Sequence, residues 1–378
     1  MEISFIGDVM LSRFVASQFE KTRYQVLDKT IVEKLSESDF VIGNLESPMV
    51  ESAVSDGDHL SFKGNPALLN QFSFVNCFSL ANNHINDCGL LGMNETIKFL
   101  DQKQIPWNGL YKDEYEPFLF EKDGFKCALF TCTDMMNHPI PKECPWNVLS
   151  IDDDSLDELI ARYKDERYYV ILYAHVGMLF TRFPNPVIRA LLHKKIDAGA
   201  DLIVTAHSHA LGGMEYYKNK PIFHSIGDFV MDGNSYRRRQ AAILKIKIGE
   251  NSLLDWNILP TQIDYNFKTN FPISKIELKM KKSWEFVSEK LKQHTDDYTS
   301  FYKVQYKKEM LLHTISTLKF LLDTKGIRGM LLLIYKRFEE VKRMKDWITK
   351  DRSHERMDED AISPDRKRHT QKDLFDID

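Results

Sequence analysis

The sequence predicts a layered α/β fold, and three observations carry that prediction. Short apolar runs alternate with helical segments over roughly the first 250 residues, the pattern of strands covered by helices. Many of the runs are bounded by Gly or Pro turn signals. Five of them end in polar, ligand-type residues next to small ones, as strands do where an open α/β sheet lines a crevice.

Taken in order, Ile3 to Ile6 is a first strand ending at Gly7-Asp8. Leu11 to Lys21 and Ile31 to Leu35 read as helices. Asp39 to Ile42 is a second strand, running into Gly43-Asn44-Leu45-Glu46-Ser47-Pro48. Residues 50 to 65 are polar and acidic and read as a surface excursion. Pro66 to Phe72 suits a helix with proline in its first turn. Phe74 to Leu80 is a third strand, leading into Ala81-Asn82-Asn83-His84-Ile85-Asn86-Asp87-Cys88-Gly89. Asn94 to Gln102 is helical. Phe118 to Glu121 and Lys126 to Cys132 form a strand pair around Asp123-Gly124, a hairpin signal. A proline-bearing loop spans 134 to 150.

Ser155 to Asp165 is a helix capped by Asp154 or Ser155. Tyr168 to Tyr173 is a strand delivering Ala174-His175-Val176-Gly177. Pro186 to Ala198 is a helix closed by Gly199. Leu202 to Val204 is a buried strand that ends in His207-Ser208-His209. If that end stays extended, alternate side chains share a face, and both histidines could point at one ion. Pro221 to Val230 reads as one strand into a turn, and Ala241 to Ile248 as the last clear strand.

From about Asn270 the character changes. Ile276 to Met280, Trp284 to Lys292, Tyr306 to Lys325 and Ile327 to Trp347 read as helical. Leu311, Leu312, Ile315, Leu318 and Leu322 form an apolar stripe that packs on the main domain or on a partner. Basic pairs Lys336-Arg337 and Lys342-Arg343 allow contact with an anionic membrane surface. The expected domains are 1–268, a helical extension 269–348, and a charged, disordered tail 349–378.

Composition sets outer bounds. The 378 residues are 43% hydrophobic and 28% charged, with net charge −4, ordinary values for a globular protein. Neither that charge nor the placement of aromatics calls for nucleic acid. Cys77, Cys88, Cys127, Cys132 and Cys144 follow no pairing pattern and suggest reduced thiols in a cytoplasmic setting. Cys88, Cys127, Cys132 and His224 read as packing residues. No secretory signal precedes the first strand, and no apolar run is long enough to span a bilayer.

The chemistry-bearing residues are Asp8, Asn44 with Glu46, Asn83 with His84, His175, and His207 with His209. Carboxylate and amide oxygens combined with imidazoles suit Mn²⁺, Fe²⁺ or Zn²⁺ better than Ca²⁺ or a thiolate zinc site. Arg13, just over one helical turn beyond Asp8, either binds an anionic oxygen or is a solvated helix residue. Asp87 either bonds the site histidine or caps the following helix.

The stretches Ile6 to Arg13, Gly43 to Pro48, Leu80 to Gly89, Asp197 to Asp201 with His207-Ser208-His209, and Tyr216 to Phe229 come in an order that resembles the CapA family of capsule and poly-γ-glutamate synthesis proteins. The resemblance covers about residues 1 to 250. It implies kinship with calcineurin-like metallophosphoesterases and a four-layer α-β-β-α sandwich, here followed by a helical C-terminal extension. It also implies Asp8, Glu46, Asn83, His175, His207 and His209 as ligands of one or two divalent ions, with Glu46 as the bridging carboxylate. His84 becomes the catalytic acid, with Asn44 a substrate contact beside Glu46; Arg13, by its position after Asp8, is the other candidate substrate contact. Three positions depart from the related patterns. Met10 stands where a classical metallophosphoesterase has histidine, Leu179 where CapA relatives have glutamate, and Asp228 where asparagine is usual.

Two functions follow from the resemblance. One is a metal-dependent hydrolase acting on an anionic polymer or a phosphoester, at the membrane periphery or in the cytoplasm and alongside capsule-synthesis proteins. The other is a metal-binding, non-hydrolytic assembly or polymer-handling subunit.

Overall fold

The computed structural model describes residues 1–51, 61–249 and 252–354, with side chains omitted for residues 252, 329–330 and 332–354. Its strands are β1 Glu2–Val9, β2 Phe40–Leu45, β3 Cys77–Ser79, β4 Trp107–Asn108, β5 Leu110–Tyr111, β6 Phe118–Lys122, β7 Phe125–Thr133 and β8 Asn147–Val148, followed by β9 Tyr169–His175, β10 Leu202–Ala206, β11 Met214–Tyr217, β12 Lys220–Phe223, β13 Asp228–Val230, β14 Gln240–Gly249, β15 Ser252–Ile263 and β16 Thr269–Asn270. The helices are α1 Arg13–Thr22, α2 Lys29–Leu35, α3 Gly89–Gln102, α4 Asp154–Asp165, α5 Pro186–Ala198, α6 Ser274–Gln293 and α7 Tyr298–His354.

Two sheets hold most of these strands. The eight-stranded sheet runs β16-β15-β14-β1-β2-β3-β4, with β13 also paired to β1. The six-stranded sheet runs β11-β12-β10-β9-β7-β6. Period-two alternation sorts the side chains into layers. From β9, Tyr169, Ile171 and Tyr173 join Ile3, Phe5 and Ile42 between the sheets. Val170 and Leu172 face the other way, onto Leu156, Ile160, Leu192 and Ile196 of α4 and α5. On the far side, Val15, Phe19, Ile31, Met93 and Leu100 cover the eight-stranded sheet. Helix, sheet, sheet, helix is the four-layer sandwich expected.

Several local expectations need correction. The segment 221–230 is two strands in different sheets, β12 and β13. The chain crosses between them at Ser225 (φ 42°) and Gly227 (φ 79°). The β11 strand, the long β15 and the short β16 carry too few consecutive apolar residues to stand out. Pro66–Gln71 is a 3-10 turn, and α4 is capped by Asp153, whose side chain accepts from Ser155 N. In the expected surface excursion, Ser61 and Phe62 are buried, while 52–60 lie outside the described residues.

The chain divides into two compact units, Met1–Phe320 and Leu321–Asp378. Within the first, Met280 and Trp284 of α6 enter the inter-sheet core. The start of α7 turns Tyr302, Glu309 and Phe320 inward. Leu311 and Ile315 of the expected packing stripe are instead exposed, at 60% and 52%, so they do not pack on the main domain. Within the second unit, α7 breaks its helical conformation at Gly326 and continues to His354, into the segment expected to be disordered. The rest of that tail, and the side chains of the two basic pairs, lie outside the description. No helix among the described residues is long and apolar enough to cross a membrane.

Candidate metal centre

Strand register assembles one side of the centre. Parallel pairing sets Asp8 of β1 opposite Asn44 of β2 and opposite Asp228 of β13. Glu46 follows β2, and Asn83 and His84 follow β3. Gly7 permits the close approach of β1 to the crossover, since a Cβ there would lie 1.8 Å from the Gly227 carbonyl oxygen. The second sheet supplies the other side: His175 ends β9, and His207 and His209 follow β10.

The two histidines after β10 do not lie on an extended segment. Both take left-handed backbone conformations, with φ 91° and 53°, a strain that persists only where surrounding structure fixes it. The turn sends them apart. His207 joins Glu46 and His175, and His209 joins Asp8 and Glu46, as two buried three-residue groups whose ligand atoms lie within 4.8 Å of one another. Glu46 belongs to both.

Glu46 is fully buried, and neither carboxylate oxygen has a hydrogen-bond partner. Its Oε1 lies 3.8 Å from His175 Nε2, 3.8 Å from His209 Nε2 and 4.0 Å from His84 Nε2. His207 Nε2 is also buried without a hydrogen-bond partner, and so is Asp228 Oδ2, which faces Arg238 Nε in an ion pair at 3.9 Å. Leaving such groups unmet costs free energy, and a divalent cation would meet the carboxylate and the imidazole together. The donor set therefore fits a metal.

The surrounding bonds fix the donors. Asn44 Nδ2 donates to Asp8 Oδ1 at 2.8 Å and lies 3.1 Å from His175 Nδ1, while Asn82 Nδ2 donates to Asn44 Oδ1. Asn83 Oδ1 is 2.8 Å from His175 Nε2, and His207 Nδ1 is 3.0 Å from that same nitrogen. His207 N donates to Asp8 Oδ2. His209 Nδ1 pairs with Asp228 Oδ1 at 2.7 Å, leaving Nε2 turned to Glu46.

The charges pull in opposite directions. Burial together with the Asp8 and Asp228 charges raises the Glu46 carboxyl well above its ordinary range, against the pull of Arg238 and Arg13. Burial also works to raise Asp8, but His175, His209 and the Asn44 bond outweigh it and hold that carboxyl low. Burial, with the neighbouring imidazoles, drives His207 well below its usual value, which keeps it in the neutral form that ligates metal.

His84 is held apart from this set. Its Nδ1 pairs with Asp87 Oδ2 at 2.7 Å, Phe62 stacks on it at 3.8 Å, and the Asn137 amide lies 3.2 and 3.3 Å from its two ring nitrogens. Asp87 thus serves the histidine, and the α3 N-cap is Cys88, whose side chain does not cap the helix but donates to Phe62 O. Arg13 bonds Asp232 in two places and lies over the Phe62 ring. Met10 offers no donor here: it is buried in the outer core, and its sulfur accepts from Ser12 N and Oγ. Leu179 is half-buried. His224 is a packing residue, bonded to Glu215 at 3.0 Å.

Sequence reading passed over Asn82, Asn137, Asp228, Phe62 and Arg238 as site residues. Asn82 and Asp228 lie within the motifs quoted above and had a signal. Asn137 and Arg238 come from irregular loops and had none.

Fold and site together define an α/β sandwich protein with a buried carboxylate–imidazole centre where the strand ends of two sheets meet. A model of the bacterial capsule synthesis protein PGA_cap matches residues 2–233, and the chain belongs to that family. It is 27% identical over 278 residues to the capsule biosynthesis protein CapA of Bacillus anthracis, covering 70% of this chain and 67% of that protein. It is 28% identical over 292 residues to the PGA biosynthesis protein CapA of Bacillus subtilis (strain 168), covering 74% and 76%. Among solved structures it is similar to a putative 5′-nucleotidase from Staphylococcus aureus, at 15% identity and TM-score 0.47, over 76% of this chain and 58% of that one.

Proposed function

We propose that the chain is a metal-dependent, phosphoesterase-like hydrolase of the CapA family that serves synthesis or export of an anionic capsule or poly-γ-glutamate-type polymer. One observation carries this reading: a fully buried carboxylate, Glu46, has both oxygens unpartnered and is shared by two three-residue donor groups. Asp8, Glu46 and His209 would hold one ion, and Glu46, His175 and His207 a second, with Mn²⁺, Fe²⁺ or Zn²⁺ suited to the donors. Bound divalent ions would supply Lewis-acid polarisation of a phosphoryl oxygen and acidify water.

The chain's own residues complete the chemistry. Asp87 orients His84 through Nδ1 and turns its Nε2 towards Glu46. That nitrogen is the atom to hold a proton for a leaving oxygen. Asp228 fixes the His209 ring through Nδ1, an outer partner of the kind that sets ligand orientation. Asn44 bonds Asp8 and touches His175, tying one sheet's carboxylate to the other sheet's imidazole.

The test is metal content of the purified protein, followed by turnover of bis(p-nitrophenyl) phosphate with Mn²⁺. Stoichiometric metal and turnover that His209→Ala abolishes are the expected results. Metal-free wild type that Mn²⁺ does not load, or equal activity in His209→Ala, would overturn the reading. A second reading, a metal-binding subunit without turnover, is favoured by the burial of Met10 in the outer core. Bound metal with no turnover of the diester would select it.

A further inference from the structure

The first stretch of α7, from Tyr298 to Phe320, has two unlike faces. Its inner face is fixed. Tyr302, Glu309 and Phe320 are buried, and Glu309 accepts from both Arg182 and Arg237. Tyr298 and Tyr302 pack with Val287 and Leu291 of α6. His313 stacks on Phe180 at 4.1 Å, and that ring lies 6.2 Å from His209. At His313 the helix thus comes to the rim of the centre.

The outer face is apolar along its middle. Val304, Leu311 and Ile315 are 65%, 60% and 52% exposed. Leu311 and Ile315 come close to two and three full turns beyond Val304, so the three form a line about 17 Å long. Half-buried Leu318 continues it. At about 100° per residue, exposed Lys303 and Lys307 fall on one side of this line, and exposed Lys308 and Lys319 on the other. Lys319 also lies 5.9 Å from the centre of the Tyr236 ring. The one acid in the stretch is Glu309, turned inward to its two arginines, so no carboxylate of the stretch offsets the lysines. The exposed face of α6 differs, because Lys275, Lys279 and Lys282 share it with Glu285 and Glu289.

An occupant of this face must cover aliphatic side chains and meet positive charge on both flanks. A second copy would set lysines against lysines in either orientation. A nucleic-acid strand needs aromatic rings to stack on, and this line is aliphatic. A bilayer with anionic headgroups meets both demands. The aliphatic side chains enter the acyl boundary, while the lysines lay their stems along the apolar surface and keep their ammonium groups among the phosphates.

We propose that the outer face of α7 between Lys303 and Lys319 is a docking surface for an anionic lipid bilayer. Docking there holds the rim of the centre about one helix diameter from the headgroups. It needs neither bound metal nor turnover.

The experiment is co-sedimentation of the full chain with vesicles of phosphatidylcholine alone and of phosphatidylcholine mixed equally with phosphatidylglycerol. Wild type should bind the mixed vesicles, bind the neutral ones far less, and be released by high salt. Lys307→Gln with Lys308→Gln should weaken binding about tenfold or more, and Leu311→Ser with Ile315→Ser about tenfold as well. All four side chains are exposed, so both double variants should melt as wild type does; if one fails to fold, the other decides. Wild type that does not bind the mixed vesicles overturns the proposal. Binding that neither double variant reduces also overturns it, and assigns the contact to another part of the chain. Binding that falls with the lysine changes but not with the Leu311 and Ile315 changes overturns it in favour of an acidic macromolecule held by charge alone. A dimer in solution that Leu311→Ser with Ile315→Ser splits, without lipid binding by wild type, overturns it in favour of a second copy.

Discussion

The Oδ2 atom of Asp87 accepts two hydrogen bonds at once, from His84 Nδ1 at 2.7 Å and from Phe62 N at 2.6 Å. The first sets the histidine's orientation; the second draws Phe62 onto the face of the same ring. Removing the carboxylate charge while keeping its shape should therefore loosen His84 without touching the carboxylate–imidazole donors. Asp87→Asn is expected to lower diester turnover about 10- to 100-fold with metal content unchanged. Metal analysis run beside steady-state kinetics checks it, and wild-type kcat in the variant would remove the positioning role.

Glu46 gives a prediction that needs no activity. A buried carboxylate without partners destabilises the metal-free protein and is satisfied when a cation binds. Metal-stripped Glu46→Gln should melt above metal-stripped wild type, by about 1 kcal/mol or more in stability. Saturating Mn²⁺ at a hundredfold excess over its Kd should add about 2.7 kcal/mol to wild type and little to the variant. Thermal melts of both proteins with and without Mn²⁺ make the comparison. A metal-free variant less stable than wild type would contradict it.

The layers were legible because β9 and β10 are buried on both faces and read as continuous apolar runs, while α5 carries Pro at its start and Gly at its end. The donors were legible because each sits just beyond such a run. What could not be read was the shape of the turn. His207 and His209 looked like one extended pair, yet left-handed backbone at both sends them to different three-residue groups. Asp228 looked like the end of a strand that began at Pro221. Its place beside Asp8 depends on a crossover between sheets, and that is a long-range pairing with no local periodicity to betray it. Arg238 lies in the loop after β13, where only the packed structure brings it over Phe180.

Gly7 tests that crossover. A Cβ at this position would lie 1.8 Å from Gly227 O and 3.0 Å from Gly227 C, backbone atoms that cannot swing aside. Gly7→Ala must push β1 away from the segment that brings Asp228 to Asp8. It is expected to cost about 2 kcal/mol in urea unfolding and to reduce bound metal. Gly124→Ala in the hairpin is the control: its Cβ meets nothing within 4 Å, and only the positive φ of 78° is strained. That variant should cost about 1 kcal/mol and keep its metal. Equal metal loss in the two variants would show that the effect is general instability.

Away from the centre, Glu215 anchors α5 and the end of α6 to the edge of the second sheet. Its carboxylate bonds Arg189 through Nε and Nη2, His193 and His224, and Arg189 in turn donates to the carbonyls of Leu291 and His294. Burial works to raise this carboxyl, but bonds from His193, His224 and Arg189 outweigh it and hold it far below its ordinary value of 4.5. A folded pKa below the unfolded one means the ionised form is favoured by folding. The stabilisation is present in full above pH 4.5 and is lost progressively as the pH falls below that value. Glu215→Gln leaves Arg189 buried without its counter-charge and should cost about 3 kcal/mol at neutral pH. Urea unfolding of wild type and variant from pH 7 downwards should show the gap between them steady to about pH 5, then closing in more acidic buffer as the unfolded wild-type chain takes up a proton at Glu215 that the folded state refuses. A gap that stays constant through the acid range would mean that the network contributes by shape and not by charge.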